Sequence, residues 1–442
     1  MPEPFELTAC EALSLLSRRQ LSAVELIGSC LQRIAACEPV IGAWTWLDAE
    51  RALQTARQLD EAGPSGQLHG IPLGVKDVID TADMPTGYGS AIYDGWRPAA
   101  DAGCVSIARR QGAVILGKTV TIAFACGAPV RTANPLNPKH TSGGSSSGSA
   151  AAVAAKMVPV AFGSQSASSL IRPASYTGLV GMRPSLGLLS VAGFKYFNGS
   201  FDTIGLLGRS VDDVELLWCS QLDVPFQAGE MPARRASVAV CRPPWLTAAH
   251  RDGQAAIDVA ERRLRQAGHE VRDLVLPADY GGIVQVHERM QAFEAARSYA
   301  FEYQHHRDKL DAVVRSIIEL GHAVPFEEYL EYVRLGQKLR HEFPALLGGA
   351  DCLLTAAASG EAPLGWQALG SAFSNMGTPE QSRPWTLLHL PVVTVPCHKG
   401  PNGLPVGVQL IARYGEDRDL LKVSRQLSEV LAERTTTQQG AI

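Results

Sequence analysis

Hydrophobic positions follow two rhythms along this chain. Over the first sixty residues they recur at helical spacing, through Leu13 and Leu16 and then Leu26, Ile27, Leu31 and Ile34. Each run follows an S/T-x-x-E signature, Thr8-Ala9-Cys10-Glu11 and Ser22-Ala23-Val24-Glu25. In that signature a hydroxyl and a carboxylate satisfy the free N–H groups of a helix start. The pattern predicts an N-terminal helical segment over 1–62, broken at Gly63-Pro64-Ser65-Gly66. Beyond it the apolar runs shorten to strand length, at Ile71–Val75, Ala113–Leu116, Val158–Phe162, Ser237–Cys241, Cys352–Thr355, Val392–Val395 and Val406–Ile411. Segments of helical composition alternate with them, at Ala102–Gln111, Gly148–Met157, Val211–Cys219 and Gln254–Gln266. Strand-length runs alternating with helices predict an α/β protein with much of its sheet buried. A charged, Leu/Arg/Glu-rich stretch at about 282–345, with Pro325 as its main break, reads as a helical insertion over the core. No internal repeat and no long polar linker appears, so 1–442 is read as a single domain.

Composition narrows the function classes. At 46% hydrophobic and 19% charged, the 442 residues are not those of a disordered chain. The formal charge, 40 − 44 = −4, lacks the basic excess of a nucleic-acid binder. No apolar run reaches the ~18 residues of a membrane span. The best candidate, Ala150–Phe162, is interrupted by Lys156 and Pro159, and Met1-Pro2-Glu3-Pro4 does not open a signal peptide. The nine cysteines form no close CxxC pair and no cluster of zinc spacing, which predicts reduced thiols in a cytoplasmic protein.

The chemistry concentrates in Thr141-Ser142-Gly143-Gly144-Ser145-Ser146-Ser147-Gly148-Ser149, followed by an Ala-rich run to Ala155. A flexible linker does not fit, because a helical and then an apolar segment follow at once. A phosphate loop of the Walker type needs a Gly-Lys-Ser/Thr ending, which is missing. Gly144 to Gly148 matches the G-x-S-x-G elbow with Ser146 as nucleophile. An elbow, however, sits directly after a buried strand. Here Asn134–His140 precedes it, with two prolines and no apolar run.

A larger set of motifs fits better. It starts with Gly70-Ile71-Pro72-Leu73-Gly74-Val75-Lys76-Asp77 and runs through Gly143–Ala150, Val158–Gly163, Ser169-Leu170-Ile171-Arg172-Pro173-Ala174 and Gly178–Pro184. Phe201-Asp202-Thr203-Ile204-Gly205 follows, and then Arg383-Pro384-Trp385-Thr386 and Gly403–Leu410. In that order the motifs resemble the amidase signature family of Ser-cisSer-Lys amide hydrolases. The resemblance implies an amidase-signature fold, with a mixed, mostly parallel central sheet flanked by helices on both faces. It implies a catalytic set of Lys76, Ser145 and Ser169, with 169 − 145 = 24 residues between the serines as is usual in the family. It also implies a non-proline cis peptide at Gly144–Ser145, and an oxyanion hole from the backbone of Ser166, Ala167 and Ser168. No cofactor or metal is expected. Lys76, made neutral by burial, would take a proton from Ser169 through Ser145, and an acyl-enzyme would form and then hydrolyse.

The chain departs from the family at the nucleophile loop, Gly163-Ser164-Gln165-Ser166-Ala167-Ser168-Ser169. Two glycines usual before the nucleophile are replaced by Ala167 and Ser168. If the loop needs φ > 0 there, each replacement costs on the order of 1–2 kcal/mol. Gln165 stands where many members carry Asp, and the resemblance gives it a role in supporting the loop. Arg172 is a candidate fork for a substrate carboxylate or one half of a structural salt bridge. Tyr88, Trp385 and the segment Ala356–Gly365 are candidate pocket walls.

Three functions remain open. The first is an amidohydrolase on a linear carboxamide, releasing ammonia or an amine. The second is an impaired homologue that binds without turnover, motivated by Ala167 and Ser168. The third is the amidase component of an amidotransferase. The expected partner is a small-molecule amide, with no nucleic acid or membrane, and a homodimer is possible.

Overall fold

Both N-terminal signatures form the capping boxes they predict. In this computed structural model, which describes residues 2–247, 250–365 and 377–432, Thr8 caps the helix Ala9–Ser17 and Ser22 caps Ala23–Ile41, each with its Glu reaching back. The remaining chain builds thirteen strands: β1 (Trp44–Leu47), β2 (Pro72–Lys76), β3 (Val114–Thr119), β4 (Ala133–Asn134), β5 (Asn137–Thr141), β6 (Val160–Gln165), β7 (Val180–Arg183), β8 (Thr203–Gly208), β9 (Ser237–Cys241), β10 (Glu270–Leu274), β11 (Cys352–Ala356), β12 (Val392–Lys399) and β13 (Pro405–Ile411). Eleven of them form one sheet in the order β1-β3-β2-β6-β8-β7-β12-β13-β11-β9-β10, and β4 and β5 pair separately. The sheet is mixed. β3, β2 and β6 run parallel, as do β11, β9 and β10, and the strands between these two groups pair antiparallel.

Both parallel groups are the product of crossovers, which need a helix between strands. That is why their strands are buried on both faces and read as near-continuous apolar runs. β2, β3 and β6 are buried at every position. The helices Ser147–Ala154 and Ile171–Thr177 touch each other and the sheet, while Val211–Gln221, Arg251–Gln266 and Asp417–Leu431 form a second connected group packed on it. Four helices, Ile283–Ser298, Ala300–His305, Ala312–His322 and Phe326–Leu347, fill the charged stretch, and Pro325 caps the last of them. All nine cysteines are reduced thiols. No described helix is long and apolar enough to cross a membrane.

The Ala-rich helix shows how the fold builds the site. Ser147–Val153 are all buried, so no side of this helix is amphipathic. Small residues let it lie directly on the backbone of its neighbours. A Cβ on Gly148 would stand 2.3 Å from Val120 N and 2.5 Å from Ala43 O. The N-terminus of this helix is thereby pressed against the ends of β2 and β6, and Ser145 and Ser146 come with it.

Candidate active site

Lys76 is the last residue of β2, and its side chain is completely buried. Its Nζ lies 2.6 Å from Ser145 Oγ, 2.8 Å from Ser164 Oγ and 3.1 Å from Ser146 Oγ. Asp77, the next residue, points to the other side as strand alternation requires. There it faces a second buried lysine, Lys118, at 3.5 Å and accepts from Gly87 N–H. Lys76 therefore has three hydroxyl partners and no contacting carboxylate among the described residues. Burial drives its pKa well below the usual lysine value, opposed by the more distant charge of Asp202. With its pKa lowered by burial, the amine in its neutral form offers two N–H donors and one lone pair to these three hydroxyls. Ser146 donates its own hydrogen to Ser164 O and so accepts from Lys76, leaving one N–H and the lone pair for Ser164 and Ser145.

Ser146 is thereby saturated. It is fully buried, and its hydroxyl also accepts from Ser164 N–H. This disposes of the elbow reading. Ser169 differs: its hydroxyl has no hydrogen-bond partner among the described residues, and it lines a cavity. Ser145, Ser166, Ala167, Ser168 and Arg172 line the same cavity, together with Gln291, Pro379, Arg383 and the apolar Ile122, Ala125 and Cys126. The cavity volume is about 30 Å³, room for two or three waters.

Gly143 and Gly144 bring Ser145 to this wall. Both have positive φ, at 78° and 62°, and a Cβ on Gly144 would press on Pro173 at 2.7 Å and on Ser169 O at 3.2 Å. The implied cis bond at Gly144–Ser145 is absent: every described peptide is trans. Two consecutive left-handed glycines already turn the chain enough for Ser145 to reach Lys76.

The loop after β6 is tied down through its carbonyls. Ser166 O accepts from His287 Nε2 at 2.9 Å, Ala167 O from Thr386 Oγ1 at 3.2 Å, Ser168 O from Arg172 N at 3.3 Å and Ser169 O from Ser146 N at 3.1 Å. The N–H groups of Ser166, Ala167, Ser168 and Ser169 have no acceptor among the described residues. Gln165, fully buried, supports the loop from below. Its Oε1 accepts from Leu170 N at 3.1 Å and Ile171 N at 3.0 Å, so it holds the start of the helix Ile171–Thr177 and is not on the cavity wall.

Ala167 and Ser168 escape the strain of a left-handed loop, because neither has positive φ. Changing both to glycine is thus expected to leave kcat/KM within about threefold and to cost about 0.5–1 kcal/mol of stability per site through chain entropy. Steady-state kinetics and thermal melting check this. A tenfold or larger rate gain would show that the native loop is strained after all.

His287 is held in one tautomer. Arg383 Nη1, which can only donate, lies 2.7 Å from its Nδ1, and the ring's Nε2 must carry the hydrogen given to Ser166 O. The ring stacks on Phe201 with centroids 4.3 Å apart, and burial together with Arg383 keeps its pKa well below the usual histidine value. Asp202 is also buried. It accepts from Phe197 and Asn198 N–H, and burial pushes its pKa up to about 6.

Two expected pocket walls lie elsewhere. Trp385 is fully buried, edge-on to Trp245 and Phe343 at 6.2 and 6.3 Å. Tyr88 donates to Asp80 at 2.7 Å and packs edge-on against Tyr93. Ala356–Gly365 is not on the cavity wall either. Arg172 is buried, lines the cavity and donates to Gly377 O, and the structural salt bridge is not found among the described residues. Sequence reading missed Ser164, Asp202, His287, Gln291 and Arg383, and it met Ser146 only as an elbow nucleophile. Asp202 and Arg383 lie in motifs already noted, Phe201–Gly205 and Arg383–Thr386. His287 and Gln291 carry only a spacing signal, one turn apart on a helix with no motif.

The chain is similar to known proteins over nearly its whole length. The family profile Amidase matches residues 25–421. The A subunit of the glutamyl-tRNA(Gln) amidotransferase from Roseiflexus castenholzii (strain DSM 13941 / HLO8) is 30% identical over 95% of this chain and 94% of its own length. A crystal structure of an amidase superposes with a TM-score of 0.86 at 28% identity, covering 96% of this chain and 100% of that one. The peptide amidase of Stenotrophomonas maltophilia superposes with a TM-score of 0.83 at 26% identity, over 97% and 98% of the two chains. With its sequence match spanning nearly the whole length and its fold shared with these enzymes, the chain belongs to the amidase signature family of amide hydrolases.

Proposed function

We propose that this chain hydrolyses a linear carboxamide through Ser169, Ser145 and Lys76, releasing ammonia or an amine. The observation that carries the reading is the 2.6 Å contact between a fully buried, carboxylate-free Lys76 amine and Ser145, whose cavity also holds the unengaged hydroxyl of Ser169. The Lys76 lone pair takes the Ser145 proton as Ser145 takes that of Ser169, and Ser169 Oγ bonds to the amide carbon. The unpaired N–H groups of residues 166–168 face the developing oxyanion. Breakdown expels the amine, protonated by the reverse relay, and water attacks the acyl-enzyme by the same path to release the acid and free Ser169. Ser145 and Ser169 are not hydrogen-bonded in this structure, and such contacts commonly tighten only once substrate is bound.

The test is ammonia release by the purified chain across a panel of small primary amides. Turnover that is lost in Ser169→Ala supports the reading. Binding of amides without release favours the impaired homologue. The relatives that belong to amidotransferases favour a second reading, in which the ammonia is passed to a partner protein; robust turnover of free amides by the isolated chain counts against it.

A pH profile tests the base. The buried Lys76 amine has its pKa below the usual lysine value, so kcat/KM is expected to rise with pH through a midpoint well below 10.5. Asp202 holds that value up by its negative charge. Asp202→Asn is therefore expected to move the rising limb to lower pH. Disappearance of the limb in this variant would mean that Asp202, not Lys76, is the titrating group.

A further inference from the structure

The loop before Ser169 is held from behind, and what holds it sets where its N–H groups point. In a trans peptide the C=O of one residue and the N–H of the next share a plane and point in opposite directions. Every described peptide here is trans. The hydrogen bond from His287 Nε2 to Ser166 O, at 2.9 Å, therefore fixes the direction of Ala167 N–H as well. His287 is completely buried and lies off the cavity wall, whereas Ser166 and Ala167 are on it. The Ser166 carbonyl is thus turned back into the core. Ala167 N–H, with no acceptor among the described residues, is turned the other way.

His287 is itself fixed by its neighbours. Arg383 Nη1 donates to its Nδ1 at 2.7 Å and to Gln291 Oε1 at 2.9 Å. Gln291 follows His287 by one turn of the helix Ile283–Ser298, so one helix face carries both acceptors. Phe201 stacks on the ring, with centroids 4.3 Å apart. The donors run in one sense, from Arg383 N–H through His287 Nε2–H to the Ser166–Ala167 peptide. Hydrogen bonds in such a chain polarise one another, and a cation at its head strengthens the donor at its end.

We propose that His287 is a positioning residue for the hydrolysis: it aims Ala167 N–H at the developing oxyanion and carries the polarising effect of Arg383 to it. This rests on the amidase reading for the oxyanion itself. The loop supplies the donor, and the inserted helix, through His287, supplies its direction.

The test is the rate at which a short-chain alkyl fluorophosphonate labels Ser169, followed by intact mass over a range of probe concentrations. As Ser169 Oγ bonds to phosphorus and fluoride leaves, the phosphoryl oxygen stands where the oxyanion would. The concentration dependence separates entry into the cavity (KI) from bond formation (kinact). In His287→Asn the shorter amide still reaches Arg383 but stops short of Ser166 O. Losing an oxyanion donor outright costs about 10²–10³-fold. A donor kept but no longer aimed is expected to cost about 10–100-fold in kinact, with KI within about threefold. His287→Gln places an amide N–H near the position of Nε2 and is expected to label within about threefold of wild type. His287→Phe keeps the stacked ring without a donor and is expected to match His287→Asn, so either variant serves if the other does not fold. Wild-type kinact in Asn or Phe, a Gln variant as slow as Asn, or a loss confined to KI overturns the proposal. These results leave the amidase reading standing as long as the wild-type chain labels at Ser169. A wild-type chain that does not label sinks that reading, and the role of His287 with it.

Discussion

Lys76→Met is expected to lower kcat/KM by about 10²–10⁴-fold, the range that loss of a general base gives. Methionine keeps the unbranched stem in a completely buried slot but has no lone pair to accept the Ser145 proton. The neighbouring hydroxyls do not collapse with it. Ser146 and Ser164 remain bonded to each other through Ser146 Oγ to Ser164 O and Ser164 N to Ser146 Oγ, both at 3.1 Å. Folding is therefore expected to survive, as circular dichroism and thermal melting would show. The sharper readout is the pH profile. The wild-type limb that rises through the lowered Lys76 pKa should vanish, and raising the pH should not restore the rate. A variant within tenfold of wild type, or one that keeps the rising limb, removes Lys76 from the mechanism.

Ser169→Ala has the larger expected effect, a loss of about 10⁶-fold if the bond to the substrate forms at this oxygen. Its hydroxyl has no hydrogen-bond partner among the described residues, so stability should barely change. The same substitution at Ser146 is different in kind. That hydroxyl is saturated by Lys76 and by both polar backbone groups of Ser164. Its loss should weaken the amine's surroundings without abolishing acylation. The contrast between the two variants, read in single-turnover kinetics, separates the nucleophile from the scaffold. Full activity in Ser169→Ala would move the reacting oxygen to another serine of the cavity.

How much was legible in the sequence followed from how local each feature is. The strands read correctly, such as Ser237–Cys241 and Cys352–Ala356, are continuous apolar runs buried on both faces. Those not read follow other rules. β8, Thr203–Gly208, contains two glycines and has low strand propensity. Its Gly205 is there because Leu170 packs onto it, at 2.4 Å from where a Cβ would be. β10 is at the sheet edge and buries only Val271 and Leu274. In both, tertiary packing outweighs local preference.

The site divides in the same way. Lys76, Ser145 and Ser169 are readable because each ends or follows a motif whose order is preserved. The condition for strain at Ala167 and Ser168 is not met, because glycine's usual place in a loop says nothing of the φ this loop adopts. The four carbonyl ties that hold it come from His287, Thr386, Arg172 and Ser146, residues scattered over 240 positions (386 − 146 = 240) and joined only by the fold. The mistaken walls, Tyr88 and Trp385, are aromatics that pack against other aromatics, the commoner fate of a large ring in a core.

The measurement that bears most directly on the central claim is fluorophosphonate labelling, read by intact mass and peptide mapping. It probes the reacting oxygen without any knowledge of the amide. A single adduct on Ser169, lost in Lys76→Met, is the expected result. An adduct on Ser146 or Ser168, an adduct that survives without Lys76, or no adduct at all would contradict the Ser169–Ser145–Lys76 mechanism.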